Sequence, residues 1–309
     1  MARILVTGGA GFIGSCLAEA LAKDKDNSIV IVDDLSTGSK SKIPHLKNVK
    51  FIKCDVNDWR DISGVMYSNT FDYVFHYAAV VGVKRTLDHP VKVLQDLSGI
   101  KNLLTFSKNS GVKRVYFSSS SEVYGESMNF PQHEETTPLN SRLPYAIVKN
   151  ACEAYLKSFH HEYGLDYTIF RFFNTYGPKQ SRDFVVSKFI AHALKNDTIQ
   201  IYGDGKQMRT FCYIDDNIDA TVNSFKKDLF VNDVVNIGGG HEVTILELAR
   251  IIIKLTKSKS KIVHLPPLKE GDMTRRKPDL TRMKKLLSRD PVTLEEGLKK
   301  ILNNTKFIL

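Results

Sequence analysis

Apolar residues fall along this chain in two alternating rhythms. Short, mostly apolar runs have the length and the branched or aromatic content of buried strands: Arg3-Ile-Leu-Val-Thr7, Ile29-Val-Ile-Val32, Val49-Lys-Phe-Ile52, Tyr73-Val-Phe75, Val115-Tyr-Phe117 and Tyr167-Thr-Ile-Phe170. Between them, apolar positions recur with helical spacing, as after Phe12 through Leu17 and Leu21; only the third run lacks a helix-like stretch before it. Strands alternating with helices require crossovers, which are right-handed in nearly all sheets, and so predict a parallel sheet covered on both faces. The expected class is α/β with a doubly wound parallel sheet. After about residue 175 the rhythm breaks into shorter elements with turn signals such as Tyr202-Gly-Asp-Gly205 and Gly238-Gly-Gly240. This predicts a smaller α/β domain interleaved with the first. The expected division is 1–175, with returns near 209–240, and 176–309.

Composition narrows the partners. With 309 residues and 42% hydrophobic content, the chain can bury a core as one large domain or two modest ones. No apolar run approaches the roughly 18 residues of a membrane helix, and the chain enters directly into a strand pattern, so the expectation is a cytoplasmic protein without membrane association. The four cysteines, Cys16, Cys54, Cys152 and Cys212, lack metal-ligand or paired spacing and read as reduced, buried thiols. The net charge of +10 comes from dispersed lysines and arginines, with no motif for reading bases, so no nucleic-acid partner is expected. A basic balance suits an acidic small substrate equally well.

Three stretches carry chemistry. Thr7-Gly-Gly-Ala-Gly-Phe-Ile-Gly-Ser15 lies between the first predicted strand and helix. Gly9 and Gly11 allow a tight turn close to a pyrophosphate, and Gly14 lets the helix pack against the sheet with its N-terminus toward the negative charge. Gly8, Phe12 and Ile13 complete the expected cofactor loop. Asp33 ends the second strand, about twenty residues on, where a carboxylate can accept both adenosine ribose hydroxyls. Asp34 is acidic too, and no arginine stands beside them to neutralise a 2′-phosphate; the expected cofactor is NAD, not NADP.

Tyr145-Ala-Ile-Val-Lys149 puts a phenol and an ammonium four residues apart, on one face of a helix. The ammonium, and a nicotinamide cation nearby, favour the phenolate and make Tyr145 a general base for a sugar hydroxyl. Upstream, Ser118-Ser-Ser-Ser-Glu-Val-Tyr-Gly125 closes an apolar strand with four hydroxyls and a carboxylate.

Together these residues resemble an extended short-chain dehydrogenase/reductase of the nucleotide-sugar epimerase/dehydratase family, with a Rossmann domain, nearly end to end. Further matching pieces are Asp55, His76-Tyr-Ala-Ala79, Phe173-Asn-Thr-Tyr-Gly-Pro178, Tyr202-Gly-Asp-Gly-Lys-Gln-Met-Arg209, Asn236-Ile-Gly238 and Gly271-Asp272. The resemblance implies that Asp55 approaches the adenine, with Val56 and Ala78 also on the cofactor side, and that Lys149 binds the nicotinamide ribose. It implies that Ser120 and Tyr145 meet the sugar 4-hydroxyl, and that Asn174 and Arg209 meet the nucleotide diphosphate in a nucleotide-sugar-binding domain. Asp272, Arg276 and Lys84 are placed with the substrate residues, Lys84 because it can meet a uronate carboxylate. A homodimer is implied through the helix of Tyr145 and the helix after Pro90, with Ala151, Ala154, Tyr155 and Phe159 as a stripe that can serve either that contact or the chain's own core.

Two departures stand out: Asp96-Leu-Ser-Gly-Ile100 where relatives carry Asn-x-x-Gly-Thr, and Pro144-Tyr-Ala-Ile-Val-Lys149 where they carry Pro-Tyr-Gly-x-Ser-Lys. The shared first step takes the 4-hydroxyl proton to Tyr145 and hydride from C4 to NAD, giving a 4-keto sugar. The fate of that ketone depends on Ser121 and Glu122. Simple 4-epimerases commonly have a small or hydroxyl residue at position 122, and 4,6-dehydratases carry Asp before the Glu, where this chain has Ser121. The Ser121-Glu122 pair and Arg275-Arg-Lys-Pro-Asp279 resemble UDP-glucuronate decarboxylases, whereas Val80-Val-Gly-Val-Lys-Arg-Thr86 resembles epimerases. The favoured expectation is an NAD-dependent UDP-sugar 4-epimerase; decarboxylation, or an atypical dehydration using Glu122, is the alternative. The intact Ser120, Tyr145 and Lys149 argue against a non-catalytic NAD-binding regulator.

Overall fold

The computed structural model describes residues 1–267 and 273–304. The chain forms two compact units, each assembled from separate segments.

The first unit comprises Met1–Val123, Ser141–Arg171 and Ile218–Val235. Its six anticipated strands are β1 (Arg3–Thr7), β2 (Ser28–Asp33), β3 (Val49–Lys53), β4 (Tyr73–His76), β5 (Arg114–Ser120) and β6 (Asp166–Phe172). They join one seven-stranded sheet in the order β6-β5-β4-β1-β2-β3, with Asp233–Ile237 added beyond β6. Pairing is parallel from β3 through β5, with Val6 of β1 opposite both Ile31 and Phe75. The fold is the expected Rossmann-like α/β class. The order reverses direction at β1, and a doubly wound sheet opens a crevice at the C-terminal ends of its strands there.

The helices of this unit are α1 (Phe12–Leu21), α2 (Trp59–Ser68), α3 (Val83–Asp88), α4 (Pro90–Leu94), α5 (Asp96–Ser110) and α6 (Pro144–Tyr163). Asp58 caps α2 by accepting the N–H groups of Arg60 and Asp61. Pro144 opens α6, where its missing N–H costs nothing, and left-handed Gly164 closes it. Val148, Cys152 and Leu156 of α6 pack with Leu103 and Leu104 of α5 onto Val115, Phe117 and Ile169 of the sheet. Burying each aliphatic side chain stabilises by about 1.5–3 kcal/mol, which fixes α6 against β5.

The second unit comprises Tyr124–Asn140, Phe172–Asn217 and the chain from Asn236. Three short strand pairs carry it: Thr175–Tyr176 with Cys212–Tyr213, Met208–Thr210 with Glu242–Thr244, and Ile199–Tyr202 with Ile262–Leu265. Capping boxes at Thr244/Glu247 and Thr293/Glu296 start two of its helices. The segment 124–140 is stitched in through buried Asn236, which accepts from Tyr124 Oη at 2.8 Å and donates to Gln132 O and Glu134 Oε1. Gly125 makes the sharp exit at φ +59°, where a Cβ would stand 2.0 Å from Asn140 O.

Candidate active site

β1 delivers the chain into the glycine loop at Thr7. Gly8 takes φ +67°, and a Cβ there would lie 2.6 Å from Ala78 N, so the loop presses against the end of β4. A Cβ on Gly14 would stand 2.3 Å from Gly8 O, which makes glycine the residue that lets α1 start this close to the loop. No side chain caps α1 and no acid sits in its first turn, leaving Phe12 and Ile13 at an electropositive helix start. Asp33 accepts from Ala10 N at 3.0 Å and Leu35 N at 2.8 Å. Burial pushes its pKa up, opposed by those two N–H bonds. A Cβ on Gly38 would come within 2.5 Å of Asp33 Oδ1, so the space beside this carboxylate depends on glycine. The N–H groups of Gly9, Ala10 and Gly11 are taken by Val32 O, Asp33 and Gly8 O, so the donors offered to an anion are those of the uncapped first turn at Phe12 and Ile13, with a carboxylate at the next strand end.

The ends of β1 and β4 are laced through Thr7. Its Oγ1 accepts from Tyr77 N and Ala78 N, both at 3.1 Å, so its hydroxyl hydrogen goes to His76 Nδ1 at 2.8 Å. Burial, assisted by the Lys149 charge, pushes His76 down to about 3, and the ring is neutral with its proton on Nε2. Beyond β3, Asp55 accepts from Asn57 N at 2.9 Å, and buried Val56 gives its carbonyl to Asn102.

The candidate reacting groups stand where β5 meets α6. Lys149 is 3% exposed and donates from Nζ to Ser118 O at 2.7 Å. Nζ lies 5.8 Å from the ring centre of half-buried Tyr145 and 4.7 Å from that of Phe117. Desolvation lowers the Lys149 pKa, opposed by Cys152, Asp96 and Glu153. Ser120 ends β5, and its Oγ accepts from Glu122 N at 3.2 Å. Buried Ser121 opens a single 3-10 turn that presents Glu122 half-buried. Asp96, at the start of α5, accepts from Val80 N at 2.8 Å; burial raises its pKa, against the pull of that N–H and of Lys149.

In the second unit, Asn174 donates to Thr210 O at 3.1 Å. Buried Arg209 donates to Met208 O at 2.9 Å, and Arg276 N donates to the same oxygen at 3.2 Å, which brings the two guanidinium-bearing segments together. Arg275 and Lys277 both pair with Glu242, at 2.6 and 3.2 Å, while the intervening Arg276 is buried. Alternation of an extended segment separates them. Asp272 lies outside the described residues. Lys84 is in α3, and its side chain is likewise outside what is described.

Comparison with known proteins decides the family. The model of the NAD dependent epimerase/dehydratase family matches residues 4–238. This chain belongs to that family. As an epimerase/dehydratase family member it takes NAD as cofactor. It is 37% identical to a UDP-N-acetyl-alpha-D-glucosaminuronate decarboxylase of Bacillus cytotoxicus, over 97% of this chain and 96% of that one. It is 33% identical to a UDP-glucuronate 4-epimerase of Thermodesulfobacterium geofontis, over 99% and 97%. Among solved structures, UDP-glucose 4-epimerase of Thermotoga maritima with UDP-glucose superposes with a TM-score of 0.92 at 34% identity, covering 98% of each chain.

Within this epimerase/dehydratase member, the residues that sequence reasoning missed are Thr7, Ser119, Glu153 and Arg171, all buried and all at strand ends or on α6. Glu153 has one visible signal: an acid one turn after Lys149, flanked by Cys152 and Leu156 on the face that packs. Ala154 of the expected stripe is exposed, whereas Tyr155 and Phe159 pack against the unit's own core. No helix among the described residues is long and apolar enough to cross a membrane.

Proposed function

We propose that the protein oxidises C4 of a UDP-hexuronate reversibly and resolves the 4-keto uronate by decarboxylation. The observation that carries the first half is the β5–α6 junction, where Lys149 is fixed on Ser118 O, Tyr145 stands one turn earlier on the same helix, and Ser120 ends the strand. Ser120 and Tyr145 hold the 4-hydroxyl, and Tyr145 removes its proton with the Lys149 ammonium favouring the phenolate. NAD, when bound, would supply a reversible hydride acceptor for C4. Gly8, Gly11, Phe12, Ile13 and Gly14 would hold its pyrophosphate, Asp33 its ribose, and Asp55, Val56 and Ala78 its remaining faces. Asn174, Arg209 and Arg276 take the anionic part of the substrate.

The exit from the ketone turns on Glu122. A C4 ketone makes the C6 carboxylate of a uronate a β-keto acid, which loses carbon dioxide readily and leaves C5 in need of a proton. A carboxyl group two residues after Ser120 suits that need, and a plain 4-epimerase has no use for it. The Bacillus and Thermodesulfobacterium relatives are both named for hexuronate substrates, and the decarboxylase shares the higher identity. 4-Epimerisation is the second reading, favoured by the epimerase-like Val80–Thr86 stretch and the likeness to the Thermotoga enzyme.

Incubation with UDP-glucuronate, UDP-N-acetylglucosaminuronate, UDP-glucose and UDP-N-acetylglucosamine, followed by mass analysis, tests both. Loss of carbon dioxide from a hexuronate is expected; a new isomer of unchanged mass means epimerase, and no turnover of any sugar rejects both. We further propose the family's homodimer. Val91 and Leu94 of α4 and Ile147 of α6 expose apolar surface on helices that pack together, which supports it. Sedimentation as a monomer alone at micromolar concentration would contradict that.

A further inference from the structure

Lys149 and Glu153 lie one turn apart on α6, 3% and 1% exposed, and both reach the end of β5. Lys149 Nζ donates to Ser118 O at 2.7 Å, and Ser119 Oγ donates to Glu153 Oε1 at 2.5 Å. Strand alternation turns Phe117 and Ser119 to the face that α6 covers, so the helix meets Ser119 by its side chain and Ser118 by its backbone. Arg171 of β6, 2% exposed, grips the same carboxylate: Nε to Oε1 at 3.0 Å and Nη2 to Oε2 at 2.7 Å. One carboxylate thus ties a helix to two strands at the level of the reacting groups. A buried ion pair is a poor source of stability compared with apolar packing, so stability alone does not account for it. Its bidentate geometry does fix position.

Resting on the reading of Ser120 and Tyr145 as the groups at the sugar 4-hydroxyl, we propose that Glu153 is a positioning residue: held by Arg171, it anchors Ser119 to α6 and so sets Ser120 against Tyr145 and Lys149. Its charge also opposes the deprotonation of Lys149 that burial favours. The groups acting on Lys149 are Cys152 and Glu153 of α6 and Asp96 of α5, while Lys149 itself acts on His76 of β4, which is neutral. Asp96 and Glu153 are the carboxylates among them.

Two measurements test this, with thermal melting and NAD retention confirming the fold of each variant. In the first, kcat and KM are compared for Ser119→Ala and Ser119→Thr on the nucleotide sugar that the unaltered enzyme converts. Ser119→Ala should lower kcat about ten- to a hundredfold at unchanged KM, the penalty for a misplaced reacting group, and Ser119→Thr, which keeps the hydroxyl, should restore it. In the second, which needs no substrate, the Lys149 side chain is titrated by NMR with isotope-labelled lysine, its signal assigned by its loss in Lys149→Met. In Glu153→Gln the lysine should titrate at lower pH than in the unaltered protein. A kcat untouched by Ser119→Ala, or a Lys149 titration unmoved by Glu153→Gln, overturns the inference. If the unaltered protein converts no nucleotide sugar, the proposed function fails while the titration still decides whether Glu153 acts on Lys149.

Discussion

Ala10 N donates to Asp33 Oδ2 at 3.0 Å, so the glycine loop and the carboxylate at the end of β2 are one hydrogen-bonded piece. Asp33→Asn preserves an acceptor for Ala10 and removes the charge offered to a ribose. A hydrogen bond to a charged group contributes about 1.5–3 kcal/mol, so NAD affinity should fall about ten- to a hundredfold and the preference over NADP should narrow. Calorimetric titration with both nucleotides reads this directly; unchanged NAD binding would remove Asp33 from the cofactor site.

Tyr145→Phe deletes the phenolic oxygen and leaves the ring that stands near Lys149. Turnover of every nucleotide sugar should fall at least about a hundredfold while NAD binding is retained. Single-turnover absorbance of the nicotinamide separates loss of C4 oxidation from loss of a later step. Oxidation persisting at the original rate would show that another group takes the proton.

Glu122→Gln keeps shape and removes an ionisable group. For a decarboxylase, product should collapse while the 4-keto sugar persists. For a 4-epimerase, activity should survive within about tenfold, since Glu122 would then touch neither the hydroxyl proton nor C4. Solvent deuterium gives an independent reading: label at C5 of the product is expected for decarboxylation and absent from simple 4-epimerisation.

His76 sets an acid limit on stability. Its pKa is about 3 in the folded protein and near 6.5 when exposed, so the unfolded chain binds the extra proton first. Stability from this group is intact above about pH 6.5 and is lost as pH falls from there toward 3, by about 2–3 kcal/mol at pH 4.5. Denaturant unfolding at pH 7 and pH 4.5 should show this loss. In His76→Asn, which can still accept from Thr7, most of the pH difference should vanish; an unchanged difference would assign the acid sensitivity elsewhere.

β1, β2, β4 and β5 are legible because each holds an apolar run with nearly every side chain buried, whereas β3 alternates exposed lysines with half-buried apolar residues; Tyr145, Lys149 and the glycine loop stand out through their spacing taken together. Asp233–Ile237 does not read as a strand: its apolar content is little more than Val234 and Val235 before Asn236, a buried polar residue satisfied by Tyr124, Gln132 and Glu134. Those partners lie about a hundred positions upstream, beyond any local pattern. Glu153 stays hidden for the same reason. An acid in a helix reads as solvated until Arg171 and Ser119 arrive from two different strands. The inward burial of Arg276 between the outward-paired Arg275 and Lys277 likewise depends on Glu242.

The edge position of Asp233–Ile237 bears on how the protein emerges from the ribosome. β6 is complete once about residue 172 has been made, yet the strand that covers its outer side comes some sixty residues later. In that interval β6 offers an open row of backbone donors and acceptors, the template on which another nascent chain can pair. A message truncated or stalled within that window should therefore yield an aggregating product, and the full-length chain should gain solubility abruptly as residues 233–237 clear the tunnel.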